Sequence, residues 1–216
     1  MTDANADDTR ARKQALRERL LARRRAFDRD DLALASRRLI DHVVADPLWR
    51  EARGFAAFVG VRGEVDTRAL LECGLAQAKT LYLPRVLGGG QMAFWPCADL
   101  DALERGRMGL REPAAIGEGV DRPGREHGVD LIFVPGLGFS PTGARIGFGA
   151  GHYDRAFAPW LDLDASLDPE ARPTLIGVCP EAFVELEIPT AAHDLTMDAI
   201  ATDAGLRRVP ATPQTR

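Results

Sequence analysis

The chain has 216 residues, with 45% hydrophobic and 28% charged side chains, which fits one compact domain of ordinary globular composition. Twenty-eight Lys and Arg against 32 Asp and Glu give a formal charge of -4, which argues against a chain-wide nucleic-acid or membrane surface. No apolar run reaches the roughly 18 residues of a spanning helix, MTDANADDT opens without a signal-peptide core, and Cys73, Cys97 and Cys179 are too few and too scattered for a disulfide framework, so a reducing cytoplasm is expected.

Residues 1–9 read as a loose tail. From Arg10 to about Phe27 the spacing of Ala15, Leu16, Leu20 and Phe27 predicts a helix ringed by arginines. Asp30 or Asp31 is expected to cap a second helix through about Val44, and Asp46-Pro47 stops it. Phe55–Val61 reads as a buried strand. Asp66 or Thr67 then caps a helix through about Ala78, with Leu70, Leu71 and Leu75 inward. Thr80–Val86 and Gln91–Trp95 form strands across a Gly88-Gly89-Gly90 turn. Residues 97–128 read as loops. Asp130–Pro135 is a strong buried strand, His152 to Leu161 a helix, and Thr174–Cys179 and Ala199–Thr202 further strands; residues 205–216 read as a frayed end. Strands alternating with helices predict an α/β fold with a mainly parallel sheet, in a single domain spanning 1–216.

The stretch from Gly136 to Arg155 carries the most chemistry. Six glycines fall within sixteen residues (136, 138, 143, 147, 149 and 151) between a buried strand and a helix. Bare backbone N–H groups at such a junction, with the helix dipole behind them, suit an anion such as phosphate. Arg145 and Arg155 add charge-assisted donors, and Asp154 can hold a Mg²⁺ that bridges phosphate oxygens. The loop is neither GxxxxGK[ST] nor GxGxxG, because no lysine is near and His152 stands in the sixth position. On these grounds alone, phosphate binding and a purely structural crossing both remain open.

At these residues the chain resembles the 5-formyltetrahydrofolate cyclo-ligase family. Val134-Pro135-Gly136 followed by Gly143-Ala-Arg145-Ile-Gly147-Phe-Gly149-Ala-Gly151-His-Tyr153-Asp154 is similar to its VPG strand end and G-x-R-[LI]-G-x-G-x-G-x-YD loop. Lys13 and Arg17 resemble its K-x-x-x-R helix, and Glu64-Val65-Asp66-Thr67 its E-[IV]-x-T segment. Leu83-Pro84-Arg85 with Met92 and Phe94, Glu112-Pro113, and Pro189 through His193-Asp194 to Asp198 and Thr202 complete the series. The chain departs from the pattern at Ser140 (commonly Asp), Ala150 (Gly or Lys) and His152 (an aromatic), and it lacks the usual tryptophan near Met108-Gly109-Leu110.

The resemblance implies a three-layer α/β/α architecture like the ribose-5-phosphate isomerase/CoA-transferase-like fold. It also implies ATP- and Mg²⁺-dependent closure of 5-formyltetrahydrofolate to 5,10-methenyltetrahydrofolate through a phosphorylated formyl group. Carried over, Arg145 and Tyr153 would be catalytic. ATP would lie against Lys13, Arg17 and the loop Arg145, Ile146, Gly147, Phe148, Gly149, Ala150, Gly151, His152 and Tyr153. The folate would meet Val59, Glu64, Arg85, Met92, Phe94, Phe148 and His152, and Mg²⁺ would sit on Asp154 and Asp194. The expected partners are the two substrates, with no nucleic acid and no membrane, acting on a monomer in the cytoplasm. Two alternatives stand beside this: a phosphosugar or nucleotide enzyme on the same scaffold, and a non-catalytic folate- or nucleotide-binding relative. Without the resemblance both readings stay open for Lys13 (a solvated helix residue or a ligand contact), Glu64 (a turn residue or a site carboxylate) and Asp194 and Asp198 (caps or metal ligands), while Met92 and Phe94 read as core.

Overall fold

The computed structural model describes residues 3–61, 63–106, 109–161, 172–191 and 194–210. The helices are α1 (Asp3–Ala26), α2 (Arg29–Ala45), α3 (Pro47–Glu51), α4 (Arg68–Ala76) and α5 (His152–Leu161). The strands are β1 (Gly54–Ala56), β2 (Thr80–Gly88), β3 (Gln91–Pro96), β4 (Glu104–Arg105), β5 (Arg111–Glu112), β6 (Leu131–Pro135), β7 (Gly138–Phe139), β8 (Arg145–Ile146), β9 (Thr174–Val178), β10 (Ala199–Thr202) and β11 (Gly205–Arg208).

Seven strands form one sheet in the order β11-β10-β9-β6-β1-β2-β3. The five central strands run parallel, and antiparallel β11 and β3 close the two edges. Alternation along the central strands divides two cores. On β6, Leu131 and Phe133 join one apolar cluster and Ile132 and Val134 the other, and Phe55 and Ala56 divide the same way on β1. The first cluster packs the sheet against α2, α3 and α4 through Leu39, Val43, Trp49, Leu70 and Leu71. The second packs it against α1 and α5 through Leu16, Leu20 and Phe157. Helices therefore cover both faces, which is why the central strands read as continuous apolar runs. Burial of a ring such as Phe133, fully enclosed, contributes about 2–3 kcal/mol.

Several boundaries differ from the sequence reading. α1 begins at Asp3, not near Arg10, and the carboxylates of Asp7 and Asp8 in its N-terminal part suit the helix dipole. Asp28, not Asp30 or Asp31, caps α2, accepting from the N–H groups of Asp30 (2.7 Å) and Asp31 (3.2 Å). Asp46-Pro47 ends α2 and also starts α3: Asp46 accepts from Leu48 N–H at 2.9 Å with Pro47 in the first turn. β1 stops at Ala56, since the N–H groups of Gly60 and Val61 turn to Thr67 Oγ1 (3.2 Å) and Glu64 Oε2 (3.1 Å). The expected frayed end at 205 is a strand: Thr202 Oγ1 accepts from Ala204 N–H at 3.2 Å, turning the chain so that Gly205–Arg208 pairs with β10. Its exposed Arg207 and Arg208 suit an edge position.

The strand order places the site. From β1 the chain moves outward to β2, and from β6 it moves the other way to β9 and β10. The crevice beyond the carboxyl ends of β1 and β6 is a topological switch point, where α/β sheets bind ligands. Glu64 follows β1 there, and the glycine loop follows β6.

Candidate active site

A cavity of about 860 Å³ opens at this crevice. α1 contributes Arg10, Lys13 and Arg17; the β1 loop contributes Glu64; and β6 ends in it at Pro135. Residues from Arg145 through Gly151 form one wall, the first turn of α5 another, and Thr190, Ala191 and Asp194 the far rim.

The glycine loop starts as the β7–β8 hairpin. Gly143 turns with φ +83°, and a Cβ there would lie 2.5 Å from Met197 O. Its N–H donates to Ser140 O (2.9 Å), and Ala144 N–H donates to Ser140 Oγ (3.1 Å). Ser140 is thus buried in the hairpin, and the amides of Gly143 and Ala144 are spent on it. The expectation of bare amides holds further on: among the described residues, the N–H groups of Gly147 to Gly151 have no acceptor. They lie on the cavity wall.

Charged side chains hold this wall to the rest of the chain. Arg17 Nε donates to Gly147 O at 3.1 Å, fixing the loop to α1. Arg145, with its side chain 7% exposed, donates from Nη2 to Asp154 Oδ1 at 2.6 Å and from Nη1 to Pro135 O at 3.3 Å. Burial pushes the Asp154 carboxyl up, but Arg145, Leu195 N–H and Lys13 together hold it below its ordinary value. Lys13, buried in the middle of α1, pairs with Asp194 Oδ2, which also accepts from Ala191 N–H at 2.6 Å. Arg155 lines the cavity and also braces its wall: it donates to Gly90 O (2.8 Å) and Ala150 O (2.6 Å), linking the β2–β3 turn to the loop.

Burial, with Glu64 nearby, pushes the Tyr153 hydroxyl above its ordinary value against the pull of Arg145, so Tyr153 is a neutral donor at working pH. Burial and Arg155 push His152 down, so its ring is uncharged near neutrality. Burial pushes the Glu64 carboxyl up, opposed by Val61 N–H and Arg24.

Lys13, Arg17, Glu64, Arg145 to Asp154, and Asp194 therefore converge on one cavity. Four other expected site residues are not among its lining. Val59 packs beside the α2–α4 core. Met92 and Phe94 are buried against α5, Phe94 stacking on Phe157 at 5.8 Å. Arg85 donates to Pro113 O (2.6 Å) and Glu104 (3.2 Å), which accounts for the Glu112-Pro113 pair as a brace for β2. Asp198 is a cap: it accepts from both terminal nitrogens of Arg172 (2.6 and 2.7 Å) and from Leu175 N–H (2.8 Å). His193 and Met108 lie outside the described residues. Sequence reasoning missed Arg24, taken as one more arginine of a solvated helix; three consecutive arginines hide which of them turns inward.

Among the described residues, no cluster of three or more His, Cys, Asp or Glu forms a metal cage. The donor chemistry fits a different arrangement. Asp154 and Asp194 each commit one carboxylate oxygen to protein donors, leaving one each for a Mg²⁺ that takes its remaining ligands from phosphates and water.

The model of the 5-formyltetrahydrofolate cyclo-ligase family matches residues 9–203. The chain belongs to this family. The mouse 5-formyltetrahydrofolate cyclo-ligase is 25% identical over 200 residues, covering 87% of this chain and 92% of its own. The Saccharomyces cerevisiae protein of the same name is 28% identical over 214 residues, covering 90% and 97%. Among solved structures, the 5,10-methenyltetrahydrofolate synthetase of Aquifex aeolicus superposes with a TM-score of 0.75 at 27% identity, covering 94% of this chain and 96% of that one. The Mycoplasma pneumoniae synthetase shares the fold, with a TM-score of 0.65 at 19% identity.

Proposed function

We propose that this member of the family joins the formyl carbon of 5-formyltetrahydrofolate to N10 at the expense of ATP, giving 5,10-methenyltetrahydrofolate, ADP and phosphate. The formyl oxygen attacks the γ-phosphorus and ADP leaves. N10 attacks the resulting iminium carbon, phosphate departs with the former formyl oxygen, and N10 loses its proton. Phosphorylation is needed because an amide oxygen is a poor leaving group. The enzyme's work is positioning two substrates and neutralising charge.

The observation that carries this reading is the row of unspent amides from Gly147 to Gly151, facing a cavity with Lys13, Arg17 and Arg145 around it. In this scheme those amides and cations take the triphosphate, and Arg145 meets the charge that develops on the transferred phosphoryl. Tyr153 donates as a neutral hydroxyl. Glu64 accepts from the 2-amino and N3–H groups of the pterin, with Phe148, His152 and the neighbouring Val59 on the folate side. Mg²⁺ would be held by Asp154 and Asp194, where it supplies charge neutralisation between phosphate oxygens. We further propose that the chain works as one domain and as a monomer, on small-molecule substrates alone. The three unpaired cysteines support a reducing compartment, the cytoplasm in our reading. Among the described residues, no helix is long and apolar enough to cross a membrane.

The test mixes purified protein, 5-formyltetrahydrofolate, Mg²⁺ and ATP and follows the near-UV absorbance of the methenyl product. ATP-dependent product is expected. ATP binding without product would instead support a non-catalytic relative, and neither binding nor product would refute the assignment of the loop.

A further inference from the structure

Arg24 leaves α1 at the switch point itself, yet the scheme above gives it no task. Its side chain is only 9% exposed. The stem packs on the loop after β1, where Gly63 turns with φ +83° and a Cβ would lie 3.1 Å from Arg24 Cγ. Nη2 donates to Gly136 O, just after β6, at 3.2 Å. The guanidinium carbon lies 5.2 Å from the centre of the ring of Phe148, which lines the cavity as Glu64 does, and 5.9 Å from that of Phe183; Arg24 itself stands behind this lining. The remaining two nitrogens, Nε and Nη1, are buried without any hydrogen-bond partner. Nη1 faces Glu64 Oε1 across 4.0 Å, beyond hydrogen-bonding distance.

Two opposite charges, each 9% exposed, would ordinarily close such a gap. Here both are anchored from opposite sides: Glu64 Oε2 by Val61 N–H at 3.1 Å, and Arg24 by Gly136 O. The gap is held open by the loops of two adjacent strands. Two buried guanidinium nitrogens without a hydrogen-bond partner are costly, and an acceptor that arrives with a ligand would remove that cost. The carboxylate beside it needs donors. The ligand edge that satisfies both presents donors to Glu64 and, next to them, one acceptor to Arg24.

We propose that Arg24 is a second recognition residue of the folate site, donating from Nη1 to the 4-oxo oxygen of the pterin while Glu64 accepts from N3–H and the 2-amino group. The proposal rests on the reading of Glu64 as the pterin carboxylate. It assigns the 4-oxo group, which Glu64 cannot recognise, to a specific donor. Each charge also lowers the burial cost of the other: burial pushes Arg24 down and Glu64 up, and each opposes the other's shift.

The experiment measures calorimetric binding of 5-formyltetrahydrofolate and of its 4-amino counterpart to the wild type, Arg24→Met, Arg24→Lys and Glu64→Gln. Arg24→Met is expected to weaken the 4-oxo ligand by about 10- to 100-fold, the value of one charge-assisted bond, and the 4-amino ligand by less than about threefold. ATP affinity should stay within about threefold, since Arg24 does not touch the loop amides. Arg24→Lys keeps a donor and the charge, so it should restore part of the 4-oxo affinity. Should the Met variant not fold, Lys carries the same comparison, with a smaller difference of the same sign. Equal weakening of both ligands, or of neither, overturns the proposal. If Glu64→Gln weakens both ligands while Arg24 variants do not separate them, only the role of Arg24 falls. If Glu64→Gln binds both as the wild type does, the pterin reading of Glu64 falls first.

Discussion

Replacing Arg145 with Met keeps most of its stem and removes the guanidinium. Lost with it are the 2.6 Å bond to Asp154 and the 3.3 Å bond to Pro135 O. A charge-assisted bond contributes about 1.5–3 kcal/mol, and breaking a fully buried pair costs about 3–5 kcal/mol. Asp154 is 27% exposed and keeps Leu195 N–H at 3.4 Å, so partial hydration favours the lower range. We expect a loss of about 2–3 kcal/mol, read as a fall of about 4–12 °C in Tm for a chain of this size. Arg145 holds the folded-state pKa of Asp154 below its ordinary value. The stabilisation is therefore present above the unfolded pKa, about 3.9, and fades as pH falls through the lowered folded value. Wild type and variant should differ fully at pH 7 and converge at strongly acid pH. Turnover should drop about 10²- to 10³-fold if, as we propose, the same guanidinium meets the transferred phosphoryl group. The measurements are thermal unfolding across pH and kcat/KM by product absorbance. If Arg145→Met costs as much stability in an Asp154→Asn background as in the wild type, the pair does not carry the energy. Unchanged turnover would remove Arg145 from the chemistry.

Lys13→Ala should raise the KM for ATP about tenfold or more and leave that for the folate within about threefold; steady-state kinetics with each substrate varied reads the split. Glu64→Gln should raise the folate KM and spare that for ATP. Because burial raises the Glu64 pKa, folate affinity in the wild type should fall with acidification at a pH above the ordinary carboxylate range of about 4.3. The sign for stability is opposite to that of Asp154: Glu64 contributes most below its unfolded pKa, and this is lost as pH rises through the raised folded value. Gly143→Ala should cost about 2–3 kcal/mol in chemical denaturation, from positive φ and a contact of 2.5 Å with Met197 O. Ala150→Lys adds a cation to the exposed loop and should tighten ATP by up to about tenfold, an effect that weakens as salt is raised.

Local signals made the core legible. Leu131 to Val134 is buried on both sides, and it reads as a strand because no polar residue interrupts it. The glycine loop is legible for the same local reason, being dense in a residue that weakens ordinary elements. Short elements fail because their cause lies elsewhere in the chain. β11 exists through pairing with β10, and nothing in Gly205–Arg208 itself demands a strand. Arg85 matched a family position, but its neighbours Glu104 and Pro113 come from a segment whose path the sequence does not reveal. Arg24 is the sharpest case. Arg23 and Arg25 flank it with the same chemistry, and one residue is about 100° of helix rotation. Arg23, itself exposed, turns toward the half-buried carboxylate of Glu185, while Arg24 turns to Gly136 and Glu64.

The site is assembled on α1 as much as on the loop. Its inward contacts fall one and then two turns apart: Lys13 to Asp194, Arg17 to Gly147 O, and Arg24 to Gly136 O. These partners follow β6 or precede β10, so one helix spans the whole crevice. Lys13 and Arg17 each give one bond to the protein and keep further N–H groups for a triphosphate. Lys13 carries three N–H groups and gives one to Asp194 Oδ2, so it can hold phosphate without releasing that carboxylate. In the free protein it is also the counter-charge that keeps Asp194 compensated. Lys13→Ala should accordingly cost stability in the free protein, where Asp194 loses its counter-charge, and cost about 1.4 kcal/mol more in excess Mg-ATP, because tenfold weaker binding withdraws that much ligand stabilisation. Unfolding measured with and without Mg-ATP separates the two contributions; an identical penalty in both would mean that Lys13 does not hold the nucleotide.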